Sequence, residues 1–253
     1  MTVMRSVFYI PGNNEKMISK APETPADIIT LDLEDSVPPA EKAKAREIVA
    51  ANLKVAGSGG AKVFSRINNW ETLMTNDDLE AIVYEGLSGV CLAKCGGPDH
   101  TQRLDWKLEE LERRRGLKVG SIAIQLLIET AKGVINAYPS AIASKRVNSL
   151  IFGAVDYTKD MRVKLTSEGE EQKYARRHTA VAARAAPQQI AVAEFAQCIH
   201  LRSHRAAVGR RGDEAPAAPA AAAAAGNGRA DGREGPCARG CKSHPLAVLH
   251  GGR

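Results

Sequence analysis

The chain is poor in aromatic residues and has no long apolar run. Aromatic side chains make up 4% of its 253 residues, and the segment after residue 186 contains one of them, Phe195. A transmembrane helix needs about 20 consecutive apolar residues, and no run in the chain approaches that length. The first ten residues lack the apolar core and cleavage site of a secretory signal peptide. We therefore expect a soluble, cytoplasmic protein that does not bind membranes.

Two further patterns are scarce or missing. No G-x-G-x-x-G follows the first apolar segment, which disfavours a dinucleotide-binding, doubly wound sheet. Of the five cysteines, Cys91 and Cys95 lie around a predicted strand, and we expect both to be buried reduced thiols. Cys237, Cys241 and His244 are metal-ligating types, but no fourth ligand stands near them, so we do not expect a zinc site.

The first 186 residues alternate between strand-like and helix-like segments. The predicted strands lie near residues 6–10, 27–33, 62–67, 89–94, 121–128 and 148–152. This alternation is typical of a parallel α/β fold. Polar residues recur at the strand ends, and a TIM-type (β/α)8 barrel would collect them on one face. We therefore favour a TIM-type barrel and keep a doubly wound sheet as the alternative.

Two acidic residues follow neighbouring predicted strands. Glu129 comes directly after the run Ser121–Ile128, and Asp156 follows the run Asn148–Phe152. A helix-like segment separates the runs. This pattern predicts a βαβ unit in which both acids lie at the carboxyl edge of two parallel strands. Two carboxylates brought together repel unless a cation lies between them, and Mg²⁺ held by few protein ligands and several waters would suit the pair. Helix-capping or surface acids are the alternative interpretation.

Six segments in fixed order carry a family resemblance: Arg5–Asn13, Leu31–Asp35, Ser65–Asn68, Leu92–Lys94, Ile128–Ala131 and Phe152–Asp156. They resemble the citrate lyase β-subunit-like group of the HpcH/HpaI aldolase superfamily, which includes malyl-CoA and citramalyl-CoA lyases. The resemblance covers about residues 4–186. It implies a Mg²⁺-dependent TIM barrel, usually a homotrimer or homohexamer, that makes or breaks a C–C bond in an acyl-CoA.

The resemblance also implies roles for individual residues. Glu129 and Asp156 match the metal ligands. Arg66 matches the arginine that stabilises the oxo-acid oxygens or a developing oxyanion, a task that suits its planar, charged fork; a structural ion pair is the alternative.

Three further charged residues are candidates for the catalytic site. Glu34 and Asp35 could order a metal-bound water or assist proton transfer, or could be structural. Lys94 could contact a substrate carboxylate or carbonyl, or could pair with Glu34 or Asp35 at the barrel mouth. The sequence leaves these alternatives open.

A turn after the first strand is the predicted CoA-binding segment. Pro11, Gly12 and Asn13 would let the CoA arm approach the backbone closely, and Lys16 would reach a CoA phosphate unless it is an ordinary solvated helix lysine. The implied reaction cleaves a 3-hydroxyacyl-CoA of the malyl, citramalyl or citryl type to an acetyl thioester and a 2-oxo acid. The alternatives are a 2-oxo acid aldolase that does not use CoA and a truncated, inactive barrel fragment.

The composition changes at Pro187. Residues 187–253 hold nine Lys and Arg against five Asp and Glu, and they include an Ala/Pro-rich run from Ala215 to Ala225. Such a segment lacks the apolar content to bury a core. It also lacks the aromatic residues and repeats of nucleic-acid-binding tails, so we expect no nucleic-acid partner. The sequence thus predicts an incomplete barrel of about six strands in residues 1–186 and a disordered tail in residues 187–253.

Overall fold

The computed structural model describes residues 6–188 and 190–195, with the backbone alone for residues 193–195. Within these residues, seven parallel strands form one sheet in chain order, β1 to β7. The strands are β1 Val7–Pro11, β2 Ile28–Asp32, β3 Lys62–Ile67, β4 Gly89–Leu92, β5 Ala123–Ile128, β6 Val147–Gly153 and β7 Ala191–Phe195. The TIM-like α/β class predicted from the sequence is confirmed.

Helices connect the strands, as parallel neighbours require. They are α1 Glu15–Ile18, α2 Lys42–Ala56, α3 Thr75–Ile82, α4 Pro98–Arg114, α5 Ala131–Ile135, α6 Ala137–Ile142, α7 Ala154–Asp160 and α8 Lys173–Ala185. Short 3-10 turns lie at Ala21–Glu23, Pro39–Glu41, Trp70–Thr72 and Glu170–Gln172. Across the described ranges, no helix combines the length and the apolar character needed to span a bilayer.

The core lies between the sheet and the helices. All five residues of β2 are buried, as expected for a parallel strand that is covered on both faces. On α2, the residues Ala45, Val49 and Leu53 recur every four positions and form the buried stripe of an amphipathic helix. The sheet and helices therefore hold the strand ends in fixed positions, and these ends carry the candidate site.

A buried ion pair joins α4 to the starts of β5 and β6. The Glu112 side chain accepts hydrogen bonds from Arg146 Nη2 at 2.7 Å and from the backbone N–H of Ile122 at 3.0 Å. Arg146 directly precedes β6, and Ile122 directly precedes β5. This contact fixes the two strands at the edge opposite to their carboxyl ends, and so fixes their positions relative to each other.

The seventh strand lies beyond the predicted boundary at residue 186. β7 pairs with β6 in parallel, with Ala191 opposite Ser149 and Phe195 opposite Gly153. Ile190 and Val192 pack against the core although the flanking sequence is polar and contains Pro187. The expectation of about six strands is therefore corrected to seven. The rest of the predicted tail, including Cys237, Cys241 and His244, lies outside the described residues.

Candidate active site

The carboxyl ends of the parallel strands bring the predicted site residues to one edge of the sheet. Glu129 directly follows β5, and Lys94 lies two residues after β4. Arg66 is the next-to-last residue of β3, Glu34 lies two residues after β2, and Asp156 lies in the first turn of α7. In barrel enzymes this edge holds the chemistry. The five residues therefore lie at the carboxyl ends of β2 to β6, and their roles remain predictions.

Lys94 lies in a loop rather than in the strand that was predicted to end with it. Its φ of 49° is in the left-handed region, which costs roughly 1 kcal/mol or more for a residue with a Cβ. The backbone N–H of Lys94 donates to Glu129 Oε1 at 2.9 Å. Lys94 Nζ lies 2.6 Å from Glu34 Oε1 and 3.2 Å from Asp156 Oδ2. Of the two interpretations left open, the structure shows Lys94 paired with acidic residues of this edge.

Arg66 forms a buried, two-point ion pair with Asp32. Its Nε and Nη2 donate to Asp32 Oδ1 at 2.7 Å and Oδ2 at 2.6 Å, and its Nη1 lies 3.4 Å from Glu34 Oε2. Burial alone would raise the pKa of Asp32, but the Arg66 guanidinium outweighs it and holds that pKa below its ordinary value. Arg66 thus has the structural ion pair that was its alternative role, while contact with a substrate remains a prediction.

Asp32 is a residue of the site that was not predicted from the sequence. Asp32 is the last residue of β2 and stands between Leu31 and Leu33. Side chains alternate between the two faces of a strand, so a lone acid between two apolar residues points to a position opposite to theirs. An acid between two apolar residues at the end of one strand, with an arginine at the end of the adjacent strand, was the feature of the sequence that could have predicted this ion pair.

Glu129 is a buried carboxyl in an acidic environment. It is 4% exposed. Burial raises its pKa to about 8, and the carboxylates of Glu34 and Asp156 add to the effect while Lys94 opposes it. A Cβ at Gly153 would lie 2.5 Å from Glu129 Oε2, so the close approach of Glu129 to the end of β6 requires glycine there. This packing brings Glu129 towards the turn that carries Asp156.

Asp156 stays charged more readily than Glu129. Burial opposes its ionisation, but Lys159 Nζ at 2.8 Å from its Oδ1, together with Lys94, lowers the pKa of Asp156 below its ordinary value. Asp156 lies three residues beyond the end of β6, in the first turn of α7, rather than directly at the end of a strand. The two acids therefore differ in environment: one is buried among carboxylates and the other is neutralised by lysines.

The residues present fit Mg²⁺ held by few protein ligands. In the part of the chain that the structure describes, no three Asp, Glu, His or Cys side chains gather as a metal-ligand group. Mg²⁺ usually keeps several waters and uses one or two carboxylates, and Glu129 and Asp156 supply two. A bound cation would stabilise the charged form of Glu129, whose burial otherwise favours the protonated form.

A buried lysine supports the loop that follows β2 and carries Glu34 and Asp35. Lys42 Nζ donates to the carbonyl oxygens of Leu33 at 2.6 Å and Glu34 at 2.7 Å, and to Asn68 Oδ1 at 2.9 Å. Asn68 in turn donates through Nδ2 to Asp78 at 2.7 Å. Lys42 was not predicted as a site residue, because nothing in the sequence distinguishes it from the solvated lysines of the same helix.

Lys42→Met should lower the free energy of unfolding by about 2–3 kcal/mol, because three buried hydrogen bonds from a charged donor are lost and Asn68 Oδ1 is left without its donor. The matched control is Lys44→Met, an exposed position on the same helix, with an expected change within about 0.5 kcal/mol. Equilibrium unfolding in urea measures both. Equal effects of the two substitutions would contradict a supporting role for Lys42.

The predicted CoA-binding turn lies beside the end of β2. Pro11 ends β1, and the N–H of Gly12 donates to the carbonyl oxygen of Asp32 at 2.8 Å. A Cβ at Gly12 would lie 2.5 Å from that oxygen, so this close approach requires glycine. Asn13 hydrogen-bonds to a carboxylate of the turn before α2, and Lys16 is exposed on α1. Contact of these residues with CoA remains a prediction.

The two cysteines near β4 are buried and free, as expected. Cys91 lies within the strand and Cys95 in the loop after it. Burial raises the pKa of the Cys91 thiol to about 12 and also raises that of Cys95. Both thiols are therefore neutral at physiological pH and act as small apolar groups.

Comparison with known proteins identifies the family. The sequence profile described as HpcH/HpaI aldolase/citrate lyase matches residues 5–209. The chain belongs to this family. The match extends past residue 186, where the resemblance noted in the sequence ends, and so agrees with the presence of β7.

Relatives of this HpcH/HpaI family chain include citrate lyase subunits. The citrate lyase subunit beta of Leuconostoc mesenteroides subsp. cremoris is 36% identical over 182 residues, which are 72% of this chain and 60% of the relative. The L-malyl-CoA/beta-methylmalyl-CoA lyase of Cereibacter sphaeroides is 27% identical over 172 residues, 67% of this chain and 54% of the relative. The chain thus spans about 60% of the length of the citrate lyase subunit.

Solved structures share the fold. The Haloferax volcanii malate synthase magnesium/glyoxylate complex is 22% identical, with a TM-score of 0.67 over 81% of this HpcH/HpaI family chain and 68% of that chain. The citrate lyase beta subunit of Mycobacterium tuberculosis is 20% identical, with a TM-score of 0.62 over 81% of this chain and 84% of that chain. These similarities support the barrel-like arrangement of strands and helices.

Proposed function

We propose that the chain is a Mg²⁺-dependent carbon–carbon lyase that cleaves a 3-hydroxyacyl-CoA to an acetyl thioester and a 2-oxo acid. The observation that carries the proposal is the convergence of Glu129, Asp156 and Arg66 on one strand edge, in a chain of the HpcH/HpaI family. The names of its relatives, citrate lyase subunit beta and malyl-CoA lyase, support a CoA thioester as the substrate.

The reaction needs a polarised substrate, a proton acceptor and stabilisation of negative charge. In the cleavage, the substrate hydroxyl loses its proton, the C–C bond breaks, and the thioester enolate that is released takes up a proton. When bound, Mg²⁺ would polarise the substrate oxygens as a Lewis acid, held by Glu129 and Asp156. Arg66, oriented by Asp32, would stabilise the developing oxyanion through its guanidinium.

Glu34 is the proposed proton carrier. Burial raises its pKa above the ordinary value even though Arg66 and Lys94 oppose the change. A carboxyl with a raised pKa can both accept and donate a proton closer to neutral pH. Asp35, which is more exposed, would order a water at the entrance of the site, and Lys94 would neutralise the acidic cluster in the metal-free protein.

Further parts of the proposal concern partners. The turn formed by Pro11, Gly12 and Asn13 would pass beside the CoA arm, and Lys16 would pair with a CoA phosphate. A completed barrel would assemble as a homotrimer or homohexamer. Uncovered edges at the outer strands β1 and β7 of the described sheet would instead favour association with other chains. We further propose that the protein works in the cytoplasm.

The test is cleavage of malyl-CoA, citramalyl-CoA and citryl-CoA in Mg²⁺ and in EDTA. We expect at least one thioester to yield acetyl-CoA and a 2-oxo acid, detected by chromatography and as a phenylhydrazone, with loss in EDTA and recovery on adding Mg²⁺. Cleavage of a free 4-hydroxy-2-oxo acid, with no thioester cleaved and no retention on immobilised CoA, would instead indicate a CoA-independent aldolase. A cooperatively folded protein that cleaves neither class would be an inactive barrel fragment.

A further inference from the structure

One residue, Lys94, contacts four acidic residues of the site. Its backbone N–H donates to Glu129, and its Nζ lies 2.6 Å from Glu34, 3.2 Å from Asp156 and 3.9 Å from Asp35. Four carboxyl groups at one edge repel each other unless a positive charge lies among them. In the described structure the Lys94 ammonium supplies that charge. Both proposed metal ligands contact Lys94: Asp156 through the ammonium and Glu129 through the backbone N–H.

Arg66 and Lys94 differ in their freedom to move. Arg66 is locked by two short hydrogen bonds to Asp32, and its side chain is 6% exposed. The Lys94 side chain is 30% exposed and ends in a compact ammonium on a flexible stem. The Lys94 backbone is fixed separately, because the next residue, Cys95, donates its N–H to the carbonyl of Leu127 at 3.1 Å. The ammonium can therefore leave the acidic cluster without disturbing the loop.

We propose that Lys94 is a built-in counter-cation that competes with Mg²⁺ for the acidic cluster. In the metal-free protein its ammonium holds Glu34 and Asp156 together, and on Mg²⁺ binding it withdraws towards solvent while its N–H stays on Glu129. The inference rests on the proposed magnesium site and adds a residue that sets the affinity of that site. A positive charge in contact with a ligand carboxylate repels an approaching divalent cation, and it also occupies a carboxylate oxygen that the cation would bind.

Mg²⁺ titration by calorimetry tests this directly. Lys94→Met should bind Mg²⁺ at least about tenfold more tightly than the wild type, because a competing charge within contact distance of Asp156 is removed. Lys94→Arg keeps the charge and should bind no more tightly than the wild type. The matched control is Lys159→Met: Lys159 also pairs with Asp156, but its side chain is 71% exposed, so its removal should change the affinity less than about threefold.

Thermal unfolding gives a second measurement if the heats are small or the Met variant is weakly stable. In EDTA, Lys94→Met should melt below the wild type, and its Tm should rise more on adding Mg²⁺ than the wild-type Tm does. Lys94→Gln, which loses the charge but keeps a donor for Glu34, should show the same direction. Equal or weaker Mg²⁺ binding by both neutral variants would overturn the inference while leaving the site intact. Absence of any Mg²⁺ response in the wild type and all variants would overturn the magnesium site itself.

Discussion

Arg66→Lys should lower kcat by roughly a hundredfold or more, in the range observed when an oxyanion donor is lost. Lysine keeps the positive charge but not the planar fork, which contacts both oxygens of Asp32 and faces Glu34 at the same time. A single ammonium cannot satisfy Asp32 and also direct donors to a substrate oxygen. The measurement is steady-state cleavage of the thioester that the wild type turns over fastest.

The Arg66 ion pair is also structural, so the kinetic effect must be separated from loss of folded protein. Hydrogen exchange at the β2 and β3 amides shows whether Arg66→Lys keeps the native sheet. Arg113→Lys, on the exposed face of α4, is the matched control and should leave kcat unchanged. A folded Arg66→Lys variant with kcat within a factor of two of the wild type would show that Arg66 only supports the structure.

Glu129→Gln should make the metal-free protein more stable at alkaline pH, by on the order of a few kcal/mol. The folded protein raises the pKa of Glu129 from an ordinary 4.5 to about 8, mainly through burial. Between these values the folded state binds more protons than the unfolded state, so the contribution of this group to stability falls as the pH rises. Glutamine has no charge to develop and keeps the oxygen that accepts from Lys94.

Urea unfolding in EDTA at pH 5 and pH 9 measures the effect. The difference between Glu129→Gln and the wild type should be small at pH 5 and large at pH 9. Glu109→Gln, which alters an exposed pair with Arg113 on α4, should show no such dependence on pH. A variant that is less stable than the wild type at pH 9 would mean that the Glu129 carboxylate has a stabilising partner in the metal-free protein.

Strands that have a clear apolar pattern in their own residues were predictable from the sequence. The first six apolar runs alternate with segments of helical periodicity. Each of the strands β1 to β6 begins and ends within two residues of its predicted limits. β7 was missed because Ala191–Phe195 is short and lies in polar, alanine-rich surroundings. Its formation depends on pairing with β6, a tertiary contact that a local pattern does not reveal.

The location of the candidate site was predictable, but its internal contacts were not. Carboxyl ends of parallel strands must meet, so Glu129, Asp156 and Arg66 could be placed at one edge from the sequence alone. Asp32 and Lys42 escaped attention for a physical reason: each acts through groups that are distant in sequence, a guanidinium on the adjacent strand and the carbonyl oxygens of the β2 loop. Which acid pairs with which base depends on side-chain packing.

Glu129 and Asp156 together hold Mg²⁺ in the proposed site, and calorimetric titration of Mg²⁺ measures whether they do. The wild type should bind one Mg²⁺ per chain, and Glu129→Gln and Asp156→Asn should each lose at least about tenfold in affinity, since Mg²⁺ would keep one carboxylate instead of two. Asp160→Asn is the control, because Asp160 lies on the same helix as Asp156 but accepts a hydrogen bond from the N–H of Ala131. The Mg²⁺ affinity of this variant should match that of the wild type. Unchanged affinity in either ligand variant would remove that residue from the site, and a wild type that binds no Mg²⁺ would show that these carboxylates do not form a magnesium site.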